Sequence, residues 1–505
     1  MEVGIDMAYN SDTLDIIGKA LCKQLRFNPT SNSTKPLYVA NSLFRECTGI
    51  KCELEDLHKW IFSERRSKAM SSEEIAAEFS SAIQCSEDEM IKEIKELRFF
   101  LERLFNPDST VYPSYPNSVP NIASKWFLRS YVPAEAGIGR FLFEILNTPI
   151  DGKPSPAIRV IENALVDDDD DLSRTVKPII AGKPEAERIT RSQPESVEIT
   201  LNETEAIIRS GFDRLAINCE AYSEANGANS LLILRRMVSY AMFAVFFYLE
   251  DRNRTEYSGK QIPLLLDAGE ARGAVERASE ACFSACKKAV EDYTVAFVAE
   301  WLLENQVITD TESRDACISY ITNGFVLKDK YKKENVESIR SMILQHISSG
   351  CAAGEPPLLA TARALQFAIY TYTYPNTTPS DFCNVLGVKA GFVGPSGNAA
   401  KYKRLLIDRF LLETLVLSTV EKNELNNGIE LRSLGEKLRS SYNILIGTDT
   451  DMDYEALDSF GIAAETPENL RGELADNARD IADMLISMGL AKRYADGVTI
   501  IGWRL

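Results

Sequence analysis

Gly489-Leu490-Ala491-Lys492-Arg493-Tyr494-Ala495-Asp496-Gly497-Val498-Thr499-Ile500-Ile501 decides how the C-terminal part of this sequence is read. Two apolar-patterned runs flank Asp496-Gly497, and Asp-Gly supplies the positive-φ residues of a tight hairpin turn. Upstream, Leu470 to Met488 has the spacing of a long helix. Leu434, Leu438 and Tyr442 suit a second helix, and Ile429-Glu430-Leu431 suits a short strand. A strand, helices and a terminal hairpin, in that order, are the parts of a winged-helix-like unit. Further back, Pro379 to Val388 reads as a short helix followed by a turn at Gly387, compatible with a helix-turn-helix.

Outward from there the pattern is helical. Leu14, Ile17, Leu21 and Leu25 share one helix face, and Ser11 or Asp12 can cap it. Ser71 with Glu74 and Ser86 with Glu89 are capping-box pairs. The second opens an amphipathic helix through Met90, Ile94, Leu97, Leu101 and Leu104. Prolines 107, 113, 116 and 120 make the next stretch a loop, and helix resumes at Ile122–Leu128 and Gly139–Leu146. Five consecutive aspartates, Asp167 to Asp171, favour solvent, and Ser196 to Leu201 alternates weakly as a strand. Val290, Tyr293, Phe297 and Trp301 place a largely aromatic stripe on one face of a long helix that starts near Ala271. The fold class is therefore mainly α with small β elements, in several domains. The segments are 1–150 (helical), 151–202 (acidic, proline-containing connector with short strands), 203–350 (central helical), 351–428 (helix-turn-helix-like with a basic loop) and 429–505 (winged-helix-like).

At 505 residues the chain exceeds one ordinary core, and a 45 % hydrophobic content is that of a globular protein. Its net charge of -18 discourages non-specific adhesion to nucleic acid or anionic membranes but leaves room for a local basic face. The most apolar run, Leu231 to Leu249, is interrupted by Arg235 and Arg236, so it reads as a buried core helix and no membrane partner is expected. The N-terminus lacks a signal-peptide pattern, and no Cys-x-x-Cys pair occurs among the ten cysteines. Reduced, mostly buried thiols and a cytoplasmic setting follow.

Catalytic motifs are not recognisable. With only His58 and His346, a three-histidine metal site is impossible. Cys47, Cys52 and His58 lack a fourth zinc ligand, so no metal or cofactor is expected. No Gly-x-Ser-x-Gly elbow occurs. Gly391-Phe392-Val393-Gly394-Pro395-Ser396-Gly397-Asn398-Ala399-Ala400-Lys401 lacks the Lys-Ser/Thr ending of a P-loop. The same loop is expected to lead into a helix whose first turns carry Lys401, Lys403 and Arg404, a start suited to phosphate. From Leu386 to Ile407 there is no acid, while Lys389, Lys401, Lys403 and Arg404 are basic. Tyr402 can stack on a base. The weaker catalytic candidates are Asp267, Glu270 and Arg272, delivered to a loop by Ile262–Leu266. The residues of this region, Glu270, Arg272, Glu276 and Arg277, are better read as salt bridges at a domain junction. From 429 to 505, eight basic residues face fourteen acids, a net -6. That sign favours protein over DNA as the partner of this unit, with Lys492, Arg493 and the helix preceding them the points of any DNA contact.

The stretches Gly394–Arg404 and Gly489–Val498 give the C-terminal third a resemblance to accessory proteins of bacterial phage-defence gene clusters. The resemblance implies a subunit role and carries no functional residue. The leading expectation is a non-enzymatic adaptor or regulatory subunit of a multiprotein complex acting on DNA or RNA, touching phosphate through the basic loop. A pure protein-interaction scaffold is the second reading. A metal-dependent hydrolase or nuclease centred on Asp267 and Glu270 is the third.

Overall fold

The computed structural model describes residues 12–29, 33–52, 59–60, 70–80, 85–105, 125, 128–129, 132–165, 189–191, 199–227, 229–257, 259–269, 273–327, 335–374, 378–397, 402–463 and 467–503. In chain order the elements begin α1 (Thr13–Leu25), α2 (Pro36–Thr48), β1 (Ile50–Cys52), α3 (Ser72–Phe79), α4 (Glu87–Phe105), α5 (Ile138–Asn147), α6 (Pro156–Ala164) and β2 (Ile189–Arg191). There follow α7 (Glu203–Asn226), α8 (Ser230–Tyr257), β3 (Leu264–Leu265), α9 (Gly273–Glu304), α10 (Arg314–Ser319), α11 (Val336–Ala352), α12 (Pro357–Ala368) and α13 (Pro379–Ala390). Last come α14 (Arg409–Thr419), α15 (Lys422–Asn427), β4 (Ile429–Glu430), α16 (Leu431–Tyr442), β5 (Ile444–Leu445), α17 (Thr450–Ser459), α18 (Pro467–Ser487), β6 (Ala491–Arg493) and β7 (Thr499–Ile501). The protein is mainly helical.

The chain forms two compact units, each built from separated segments. One comprises Met1–Ser31, Leu249–Gln261 and Ser284–Val385, and the other comprises Asn32–Tyr248, Ile262–Phe283 and Leu386–Leu505. The division falls inside α8, α9 and α13.

In the first unit, Asp12 caps α1 by accepting the Leu14 N–H at 3.0 Å. Leu14 and Ile17 then pack with Val295, Val298 and Leu302 of α9, Ile339 and Ile343 of α11, and Leu365 of α12. Of the aromatic stripe, Phe297 and Trp301 pack on this cluster's edge, and Tyr293 is buried. Glu250, in the same unit, is buried. Burial pushes its carboxyl well above the usual range, neighbouring Asp251 adds to the rise, and Arg254 opposes it.

In the second unit, α8 contributes Tyr240–Tyr248, every residue of which is buried. A helix apolar on all sides can only be core or membrane-spanning. Among the described residues, α8 is the one helix with the length and apolarity of a span, and 72 % of its apolar window is buried within the fold. Its Tyr240 hydroxyl meets that of Tyr442 on α16 at 2.9 Å. The extended segments are short. β1 pairs antiparallel with β2, and β3 pairs parallel with β5. The third sheet has the order β4-β7-β6, antiparallel throughout.

Several expectations meet the structure directly. The Ser71–Glu74 capping box is formed, and Met90, Ile94 and Leu101 are the buried face of α4. The terminal hairpin pairs Lys492 with Ile500 and turns at Gly497, whose φ is +86°. The turn expected at Gly387 is absent: α13 runs through it to Ala390, and the chain turns at Gly391. Gly387 is a packing residue, because a Cβ there would lie 2.5 Å from Val393 and 3.1 Å from Phe246. The strand expected at Ser196–Leu201 is also absent from its described part, residues 199–201. Asn202 caps α7 directly after it, and the connector's strand is β2. The Pro107–Pro120 loop, the Asp167–Asp171 run and most of the Ile122–Leu128 helix lie outside the described residues.

Candidate functional site

Two of the sequence candidates converge in the second unit. Ile262–Leu266 is the middle of three extended segments. On one side the Leu264 N–H donates to Asn443 O at 2.9 Å and the Leu266 N–H donates to Leu445 O at 3.0 Å. On the other side the Asp267 N–H donates to Leu405 O at 2.8 Å, forming a parallel bridge with Leu406. Apolar residues on both sides of this short ribbon are what a strand buried on two faces requires.

Asp267 is 1 % exposed at the end of the middle segment. One carboxylate oxygen accepts the Gly269 N–H at 2.7 Å, and the other accepts from Arg404 Nε at 2.5 Å. Arg404 also pairs with Glu276 at 2.9 Å. Asp267 thus has both oxygens committed to structural partners. Glu270 and Arg272 lie outside the described residues. Among the described residues, no group of three or more His, Cys, Asp or Glu side chains is placed to hold a metal.

The basic loop is closed at its base by backbone pairing. The Asp408 N–H donates to Gly391 O at 2.8 Å, and Gly394 and Arg404 exchange hydrogen bonds of 3.0 and 2.8 Å. Ser279 fixes the next residue: its hydroxyl donates to Leu405 O at 3.2 Å and accepts the Leu405 N–H at 3.0 Å. Gly391 has φ +76°, and a Cβ there would fall 1.7 Å from Asp408. Asp408 in turn caps α14, accepting the Leu411 N–H at 2.7 Å. The helix expected to carry Lys401, Lys403 and Arg404 therefore begins later, at Arg409. Both backbone groups of Arg404 are taken by Gly394, which leaves this segment extended. Lys389 is exposed at the end of α13, Tyr402 is 68 % exposed, Lys403 is half-buried, and Lys401 lies outside the described residues.

Asn477 and Glu473 on α18 carry no signal in the sequence. The buried Asn477 side chain accepts the Ala268 N–H at 2.9 Å and donates to Leu266 O at 2.7 Å and Ile446 O at 3.3 Å. It ties two of the extended segments to α18. Glu473 accepts the Ala274 and Val275 N–H groups at 2.8 and 3.0 Å, capping α9 from a distant helix. No local pattern marks either role, because both partners lie about 200 positions away in the sequence.

At the C-terminal hairpin, Lys492 lies over the Tyr494 ring at 5.3 Å, and Arg493 pairs with Asp483 of α18 at 2.8 Å. The exposed described residues of α18 are Asn469, Gly472, Ala475, Arg479, Asp483 and Ser487. Arg479 is itself paired with Asp476 at 2.7 Å.

The described cysteines are free. Burial pushes the thiols of Cys219 and Cys282 up, to about 11 and about 12, and that of Cys383 further. A thiol held protonated is a poor nucleophile. His346 is exposed and stacks on Phe367 at 4.5 Å; His58 and the side chain of Cys52 lie outside the described residues. Comparison with protein-family models, with curated proteins and with solved structures finds no match.

Proposed function

We propose that this chain is a non-enzymatic adaptor or regulatory subunit of a bacterial multiprotein complex acting on nucleic acid, of the phage-defence kind its C-terminal third resembles. Its C-terminal unit is read as a winged helix that contacts protein. The sheet order β4-β7-β6, with α16 and α18 between the first strand and the hairpin, supports the winged-helix reading.

One observation carries the choice of protein over DNA. In a DNA reader, the helix before the wing faces the major groove and the wing meets phosphate. Here that helix exposes small and acidic residues, its Arg479 is paired with Asp476, and the wing's Arg493 is paired with Asp483. Paired cations have few counterions to release on meeting a phosphate backbone.

The test uses the full chain purified from its native host with its partners. Gly472→Arg with Ala475→Arg enlarges the outward face where an added Cβ at Gly472 meets open space. The expected result is loss of a stoichiometric protein partner from the variant and its retention by wild type. Separately, Lys492→Glu with Arg493→Glu should leave affinity for a mixed-sequence duplex unchanged. Steeply salt-dependent duplex binding that this pair abolishes would overturn the protein-contact reading.

A second reading concerns the basic window from Lys389 to Arg404, whose Lys389, Lys401, Tyr402, Lys403 and Arg404 are read as meeting phosphate. The exposure of Lys389 and Tyr402 favours it. Arg404 then serves as the loop's anchor through Asp267 and Glu276, and the lysines supply the charge.

A further inference from the structure

We propose that the outer face of the C-terminal sheet is a self-association surface, on which a second copy of this chain docks about a twofold axis running along β7. The sheet carries this contact whichever partner α18 takes.

The strand register fixes which side chains share that face. Directly paired residues lie on one side of a sheet, and neighbours along a strand alternate between sides. Ala491, Thr499 and Ile501 are buried on the inner side. Glu430, Ile500 and Lys492 form one row across the outer side, and Tyr494 with Val498 forms the next row toward the turn. A sheet with one solvated face ordinarily turns polar residues outward. Here Tyr494 is 44 % and Val498 38 % exposed, and half-buried Ile500 adjoins them. Apolar side chains that lie together on a solvated face, rather than scattered singly, mark a contact with another molecule.

The charges on the face select the molecule. Within residues 429–503, Arg432, Lys437, Arg439, Arg471, Arg479 and Arg493 each pair with an acid of the same unit. Lys492 is the exception among the described residues, and it lies over the Tyr494 ring at 5.3 Å. Glu430 is in no ion pair among the described residues either. Two strand spacings, about 10 Å, separate its backbone from that of Lys492, with Ile500 between them. The row reads acid, apolar, base, and a half-turn about β7 reverses it to base, apolar, acid. Two copies placed face to face set Glu430 of each against Lys492 of the other, with Ile500 and Val498 near their own counterparts. An isologous contact needs such a self-complementary patch, and opposite charges at its edges fix the register. A uniformly basic or uniformly acidic partner would satisfy one edge of the row and repel the other.

The test is sedimentation velocity of the full-length protein from about 1 to 200 µM, because a contact of this size belongs to the weak class of interfaces. Wild type should pass from monomer toward dimer across that range. Glu430→Lys sets lysine against lysine, and Lys492→Glu sets glutamate against glutamate. Each alone should weaken the dimer by roughly 10-fold or more. An equimolar mixture of the two variants restores both opposite-charge pairs in a heterodimer and should recover wild-type association, which misfolded chains would not do. Monomer at every wild-type concentration overturns the proposal and leaves the face to another protein. A dimer that neither single variant weakens overturns it as well, because self-association then uses another surface. Weakening by both variants with no recovery in the mixture overturns the twofold pairing of Glu430 with Lys492.

Discussion

Single residues in this protein carry penalties that only their surroundings explain. Glu250 is the clearest titratable case. A carboxyl whose folded pKa is raised binds a proton more readily in the folded state than in the unfolded chain. Its contribution is therefore fully present below the ordinary glutamate range and is lost as pH rises toward the folded value. From pH 5 to pH 8 this group should reduce stability by at most about 1.4 kcal/mol per pH unit. Glu250→Gln mimics the protonated form. It should melt above wild type at pH 8, with the difference shrinking toward pH 5 in a calorimetric series. A constant difference across that range would remove Glu250 as the cause.

The elements show which interactions a sequence makes visible. Caps at Asp12, Ser71 and Asn202 are local, so the residue and its target lie two or three positions apart. The terminal hairpin is local in the same sense, because Asp496-Gly497 lies between the strands it joins. The three-segment ribbon is not. Its middle was legible as an apolar run, but its neighbours, Asn443–Leu445 and Leu405–Leu406, have no pattern that names Leu264 or Asp267 as partners. Gly387 misled for a related reason: a helical glycine that makes room for Val393 and Phe246 looks, in sequence, like one that ends a helix. In sequence Asp267 reads as an acid and Arg404 as a phosphate ligand, and the fold makes them partners.

Asn477 offers the sharpest test at this scale. Asn477→Leu keeps the number and branching of the heavy atoms but leaves the Ala268 N–H and the Leu266 and Ile446 carbonyls without their buried partner. A loss of about 2–3 kcal/mol is expected in denaturant unfolding of the full chain. A loss below about 0.5 kcal/mol, the range of ordinary surface changes, would mean that α18 does not organise the ribbon.

For the whole molecule, the decisive property is that neither compact unit is continuous in sequence. Linear segments could be read from composition, but the assembly of residues 1–31 with 284–385 could not. A chain cut between Gly350 and Cys351 separates Ile343 and Ile347 from Leu365 and Ile369, which share one core. Residues 1–350 alone should therefore show no cooperative melting transition and strong binding of an apolar dye. A sharp transition in that fragment would contradict the shared core.

The parallel pairing of Leu264 with Ile444 also sets a schedule for synthesis. At roughly 5–20 residues per second, a ribosome delivers Leu445 some ten to forty seconds after Leu265. Through that interval the apolar run Ile262–Leu266 waits with its strand edges open, and Asp267 waits for Arg404. Open strand edges and exposed apolar surface make a nascent chain prone to aggregation, so this interval calls for a holding chaperone. Slowing translation after codon 266 should increase chaperone dependence, whereas the finished protein hides every trace of that delay.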